Sequence, residues 1–142
     1  MAYELSKKVV IDTQEFNDYA VGLSIPLKNG NGGFFEQNYT TFDQARSNLK
    51  NLLLTKKGER IAQPNFGSGL QDLLFEQIDP ITTVKITDSI RRAINLYESR
   101  AVILDLLVYP DEANSRYGVK LTFRLKNDPR PITTSFKLER LR

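Results

Sequence analysis

Neither cysteine nor histidine nor tryptophan occurs anywhere in the 142 residues. Without cysteine there is no disulfide framework, no thiolate nucleophile, no sulfur-ligated zinc or iron–sulfur cluster, and no thioether-linked haem. Without histidine there is no Ser-His-Asp triad, no imidazole base and no His-based zinc site, which leaves acid–base chemistry to carboxylates, lysine and tyrosine. No cofactor and no metal site are expected. Long apolar runs are also missing. Nothing approaches the roughly 20 residues of a membrane span, and the N-terminus lacks the basic, apolar and small-residue order of a signal peptide. The expectation is a protein with no membrane partner, made in a cytoplasm and kept there or in an assembly built there. Charge is nearly balanced, with 20 Lys and Arg against 17 Asp and Glu for a net +3. That excess is too small to create a strong field.

What is present suffices for one core, since 40% of the residues are apolar and a chain of this length buries roughly 68% of its unfolded surface. Residues 1–40 read as an N-terminal arm and lead-in strand. Val9-Val10-Ile11 is a lone apolar patch in a polar start, and Ala20–Leu27 alternates as a half-buried strand in which Pro26 has no N–H to donate. Lys28–Gly33 has the composition of a flexible turn; a phosphate loop would need GxxxxGK[ST].

Residues 41–142 read as a single domain. Thr41, with Gln44 three residues on, forms a capping box for a helix over about 42–55 with Phe42, Ala45, Leu49, Leu52 and Leu53 on one face, ended by Gly58. Leu70, Leu73, Leu74 and Phe75 mark a short helix. Asp79 and Pro80 open a long one as N-cap and N1, with Ile86, Ile90, Ala93, Ile94 and Tyr97 as its buried stripe. After Arg100 the period drops from 3.6 to 2. Residues 101–109, 117–125 and 132–139 read as an antiparallel meander, with a loop over 110–115 and a turn over 127–131. The fold class is α+β: two main helices and a short helix packed on a small antiparallel β-meander.

The candidate catalytic groups are Glu59, Asp72, Glu76, Asp79 and Glu98. A glycosidase needs two carboxyls at about 5–5.5 or 6.5–9.5 Å, one held neutral by an apolar pocket. Asp72 and Glu76 stand i,i+4 as on any solvated helix face and Asp79 already has a capping role, so no catalytic residue is assigned. Glu98 and Arg100 flank Ser99 where the long helix meets the first strand. They form either a local ion pair worth about 0–1 kcal/mol on a surface or a pair of charge-assisted groups offered to a partner, and Arg60 at the other junction has the same two uses. In the later strands Lys120, Thr122 and Arg124, and Thr133, Ser135 and Lys137, alternate with apolar residues. Basic residues so placed could touch phosphates, but lysine on an edge strand commonly guards against pairing. No nucleic-acid partner is expected.

The run Asn48 to Arg60, with Thr55-Lys56-Lys57-Gly58-Glu59-Arg60 at its end, then Pro64, Phe66-Gly67, Leu70 and Leu74-Phe75-Glu76, resembles the baseplate wedge and sheath-initiator family of contractile-tailed phages, shared with type VI secretion baseplates. The likeness spans about residues 40 to 110 and closes on Tyr97-Glu98-Ser99-Arg100, where Ser99 stands in place of the family's usual Pro. The resemblance implies a structural subunit of the virion tail baseplate, assembled in the host cytoplasm. Its partners would be other wedge proteins, gripped at their helical core bundle by Arg60, Glu98 and Arg100, and the tail sheath protein, with the tail tube as a further candidate. Sheath assembly would start by β-strand addition at an edge carrying Lys120, Thr122 and Arg124 or Thr133, Ser135 and Lys137. The rival readings are a peptidoglycan-cleaving, lysozyme-like enzyme with paired carboxylates and a small nucleic-acid-binding domain.

Overall fold

The computed structural model describes residues 19–30 and 34–139. Val9-Val10-Ile11, the Asn31-Gly32-Gly33 part of the glycine-rich turn and Arg140-Leu141-Arg142 lie outside the described residues. The chain divides into two compact units between Ser47 and Asn48.

In the first unit, strands β1 (Gly22–Leu23) and β2 (Gln37–Asn38) pair antiparallel. The alternation over Ala20–Leu27 thus yields only a two-residue strand, and Val21, Leu23 and Leu27 remain exposed. The ladder is held by polar groups instead. Buried Asn38 reaches Leu23 O, Gln44 Oε1 and Ser47 Oγ, each at 3.0 Å, so β2 carries no hydrophobic period by which to read it. Helix α1 (Thr41–Leu54) is capped one residue earlier than the expected Thr41. Thr40 Oγ1 accepts the Asp43 N–H at 3.1 Å and donates to Asp43 Oδ2 at 2.6 Å, while Gln44 is engaged by Asn38. The Asp43 carboxylate thus holds the capping hydroxyl in place.

In the second unit α2 (Leu70–Leu73) packs on α3 (Pro80–Tyr97), and α3 packs on the sheet. Asp79 caps α3 by accepting the Thr82 N–H at 2.5 Å, and Pro80 occupies the first turn. The stripe read from the 3.6 period is the core stripe: Ile86, Ile90, Ala93 and Ile94 are buried, as are Leu49, Leu52 and Leu53 of α1.

Strands β3 (Ala101–Asp111), β4 (Arg116–Leu125) and β5 (Asp128–Glu139) form an antiparallel meander in the order β3-β4-β5, a short 3₁₀ turn at Glu112–Asn114 joining the first two. Val119, Leu121 and Phe123 of β4 are fully buried on the inner face. Two irregularities shape the edges. Ile103 pairs with Phe123 but Asp105 with Thr122, so Leu104 is an extra, bulged residue on β3. On β5, Ile132 pairs with Phe123 and Asp128 with Leu125, so Pro129, Arg130 and Pro131 face Arg124 alone. The segment expected to be a turn over 127–131 is therefore mostly strand. Prolines without an N–H are tolerated on an edge at such a slip.

Candidate functional site

The loop between α1 and α2 brings the first junction residue into place. Gly58, at φ +87°, donates its N–H to Pro64 O at 2.7 Å, and Gly67, at φ +123°, lies so close to Thr55 O that a Cβ there would sit 2.5 Å from it. Only glycine suits both the left-handed backbone and that approach. The fold of this loop stacks Arg60 on Phe66, guanidinium carbon 3.9 Å from the ring centroid, and Phe66 in turn meets Tyr97 at 5.1 Å with the rings tilted 59°. Tyr97 is pinned by its hydroxyl, which donates to Asn65 O at 2.5 Å.

At the end of α3 the chain turns through Glu98 and Ser99, the Ala101 N–H donating to Glu98 O at 3.0 Å. The Glu98 carboxylate accepts Arg100 Nε on Oε1 at 2.8 Å, and on Oε2 both Arg100 Nη2 and Asn48 Nδ2 at 3.2 Å. Its side chain is 9% exposed, that of Arg100 53%. The hydrogen bond that Arg100 donates to Glu98 raises the Arg100 pKa above its ordinary value. Glu98 is thus spent inside the protein and fixes the direction of the outward Arg100. A cleft of about 210 Å3 lies between these groups, lined by Asn48, Asn51, Leu52, Arg60, Phe66, Tyr97 and Glu98. The sequence pointed to Arg60, Glu98 and Arg100; it did not single out Asn48, or the Phe66–Tyr97 shelf under Arg60.

The six strand residues come together on the outer face of the sheet. Lys120 lies opposite Ser135 and Thr122 opposite Thr133, with the two threonine hydroxyls 3.1 Å apart. The expectation of an edge at Lys120, Thr122 and Arg124 is corrected. Their strand β4 is the middle one, its backbone paired with β3 on one side and β5 on the other. Thr133, Ser135 and Lys137 do lie on an outer strand.

The carboxylates considered for catalysis have local partners. Glu59 accepts the Lys56 N–H at 2.9 Å, Asp72 faces Lys56 Nζ at 3.5 Å, Glu76 binds Lys85 Nζ at 2.7 Å and Asp79 caps α3. The Thr82 N–H holds the Asp79 carboxyl below its ordinary pKa, the opposite of what a general acid requires. Among the described residues no group of three or more acidic side chains could hold a metal ion.

Residues 42–130 match the family model of the baseplate wedge protein gp25. The chain belongs to that family. The baseplate wedge protein gp25 of Enterobacteria phage T4 is 31% identical over 87 residues, which is 61% of this chain and 66%, just under two thirds, of that relative. Two solved structures share the fold. A crystal structure from Geobacter sulfurreducens that bears the name tail lysozyme superposes with a TM-score of 0.65 at 24% identity, covering 70% of this chain and 90% of that one. The cryo-EM structure of the anti-feeding prophage baseplate gives 0.56 at 21% identity, covering 82% of each. The match contains Arg60, Glu98 and Arg100, β3 and β4 whole, and β5 only to Arg130.

Proposed function

We propose that this wedge-family subunit joins the core of the baseplate wedge to the first sheath ring and starts the sheath by accepting a strand along β5. The observation that carries the reading is the strand order. Among the described residues of its unit, β5 has β4 on one side and no strand on the other, and its register runs unbroken from Ile132 to Glu139 with no proline. An incoming sheath arm can lay its backbone along that row. The other outer strand, β3, is a poorer template, since it is interrupted by the bulge at Leu104 and by Pro110.

At the other end Arg100, aimed by Glu98, and Arg60, held over the Phe66 ring, present planar donors to the helical core bundle of the wedge. The role is mechanical and not hydrolytic; the local uses of Glu59, Asp72, Glu76 and Asp79 support that. The subunit works in the virion tail baseplate after assembly in the host cytoplasm, beside the tail tube.

The test is a proline scan over Thr133, Ser135 and Lys137. Among variants that keep their melting temperature, at least one is expected to give complete baseplates and tubes without sheath in electron micrographs; normal sheaths on every folded variant reject strand addition at β5. A cell-wall turbidity assay checks the enzymatic rival, and no clearing activity that is lost in Asp72→Asn, Glu76→Gln or Glu98→Gln is expected.

A further inference from the structure

The opposite edge of the sheet borders a groove of its own. It has a volume of about 560 Å3 and is lined by Arg91 and Asn95 of α3, Ser99, residues 101–106 of β3 and Lys126. That size lies within the range of ligand-holding clefts. The side-chain groups along it are mostly donors: a guanidinium, an ammonium, an amide and a hydroxyl. Arg91 and Lys126 are exposed, and neither has a carboxylate within 4.0 Å among the described residues. Asp105 is the one acidic residue in the lining, and the bulged Leu104 adds an apolar side chain that is 51% exposed.

The bulge disfavours a simple added strand, because the backbone pairing row shifts between Ile103 and Asp105. Charge decides what fits instead. Unpaired cations beside amide and hydroxyl donors favour an occupant rich in carboxylates, and Leu104 favours an apolar residue within it. A nucleic-acid backbone, charged at every nucleotide, would meet only two cations here, whereas a peptide can set an uncharged residue beside Asp105. We propose that this groove receives an acidic segment of another protein of the baseplate, with carboxylates on Arg91 and Lys126 and an apolar side chain beside Leu104. The proposal does not depend on strand addition, which concerns the other edge.

The experiment places the photo-cross-linker p-benzoylphenylalanine at Asn95 in the full chain, irradiates assembled baseplates and identifies the captured peptide by mass spectrometry. The expected product is one segment of a different protein with at least two Asp or Glu residues and a flanking apolar one. Arg91→Glu combined with Lys126→Glu, both exposed and so expected to leave melting unchanged, should cut the cross-link per incorporated chain about tenfold or more. Should the reversed chain fail to enter baseplates, acid-to-lysine changes in the captured segment must restore it. The proposal is overturned by no cross-link at Asn95, by capture of a second copy of this chain or of a segment without carboxylates, by a yield indifferent to charge reversal, or by failure of the reciprocal change to restore entry.

Discussion

Glu98 holds Arg100 through both carboxylate oxygens, 2.8 Å to Nε and 3.2 Å to Nη2, while Asn48 donates to Oε2 from α1. The residue on the protein side of this pair is nearly buried and the residue on the solvent side is half exposed. Their loss should therefore show in different measurements. Glu98→Ala removes an acceptor of three donors and is expected to lower stability by about 1.5–3 kcal/mol, as for hydrogen bonds to charged groups. That is well inside a typical total of about 5–15 kcal/mol, so the variant still folds. Arg100→Lys keeps the charge but loses the fork, and should melt near wild type while co-purifying poorly with wedge proteins. Thermal melts and co-purification read together check both.

Arg60→Lys is the companion test. The stack on Phe66 is worth about 0.5–1 kcal/mol at an exposed site, so melting should scarcely change. Wedge association should weaken nonetheless, because an ammonium does not lie flat on the ring and present two donors in plane. Wild-type co-purification of Arg60→Lys would show that charge alone suffices.

A proline in β4 should behave unlike one in β5. Lys120→Pro or Thr122→Pro removes a donor from a strand paired on both sides, and is expected to yield insoluble chain or a much lower melting temperature. Single prolines at Thr133, Ser135 or Lys137 should lower it less. Expression yield and circular-dichroism melts of the five variants give the comparison.

This contrast also marks where the sequence was legible. The long helix was, because Ile86, Ile90, Ala93 and Ile94 repeat at 3.6 and Asp79-Pro80 announces its start. The meander was too, from the alternation of Val119, Leu121 and Phe123. That β4 lies in the middle follows from two successive hairpins, yet alternation alone makes each strand look equally free. The Leu104 bulge is hidden because Ala101–Tyr109 is almost continuously apolar, so an inserted leucine leaves no break in the pattern. Pro129 and Pro131 read as a turn because proline is excluded from central strands, and only the pairing tells that β5 is an outer one. At the candidate anchor the charged residues stood out by position. Asn48 did not, since its partner is 50 positions away.

Acid should weaken the fold partly through Asp79. The Thr82 N–H lowers its carboxyl pKa in the folded chain, so its contribution is fully present above the ordinary carboxylate value and is lost as pH falls through the lowered one. Asp79→Asn keeps a capping side chain but no charge. The melting-temperature gap between wild type and Asp79→Asn is expected to be widest near neutrality and to close as pH falls through the lowered carboxyl pKa; a gap unchanged from neutral to strongly acid pH would show that the cap's charge contributes nothing.

Gly118 and Tyr109 form a coupled pair on the outer face. A Cβ at Gly118 would lie 2.2 Å from the Tyr109 ring, so Gly118→Val must expel the ring and is expected to cost about 1–3 kcal/mol. Adding Tyr109→Ala should recover part of that loss, and a double-mutant cycle from denaturation curves measures how much.

The bulge at Leu104 gives the sheet a valency of one. Continuous backbone pairing from copy to copy needs two usable edges per molecule, and here one of the two is kinked by an extra residue and capped by Pro110 while the other runs straight. Among the described residues, copies that pair through this sheet would do so through β5 and stop at twos, with no growing tip for fibrils. On the proposed reading, a foreign strand along β5 would take the one straight edge of this sheet.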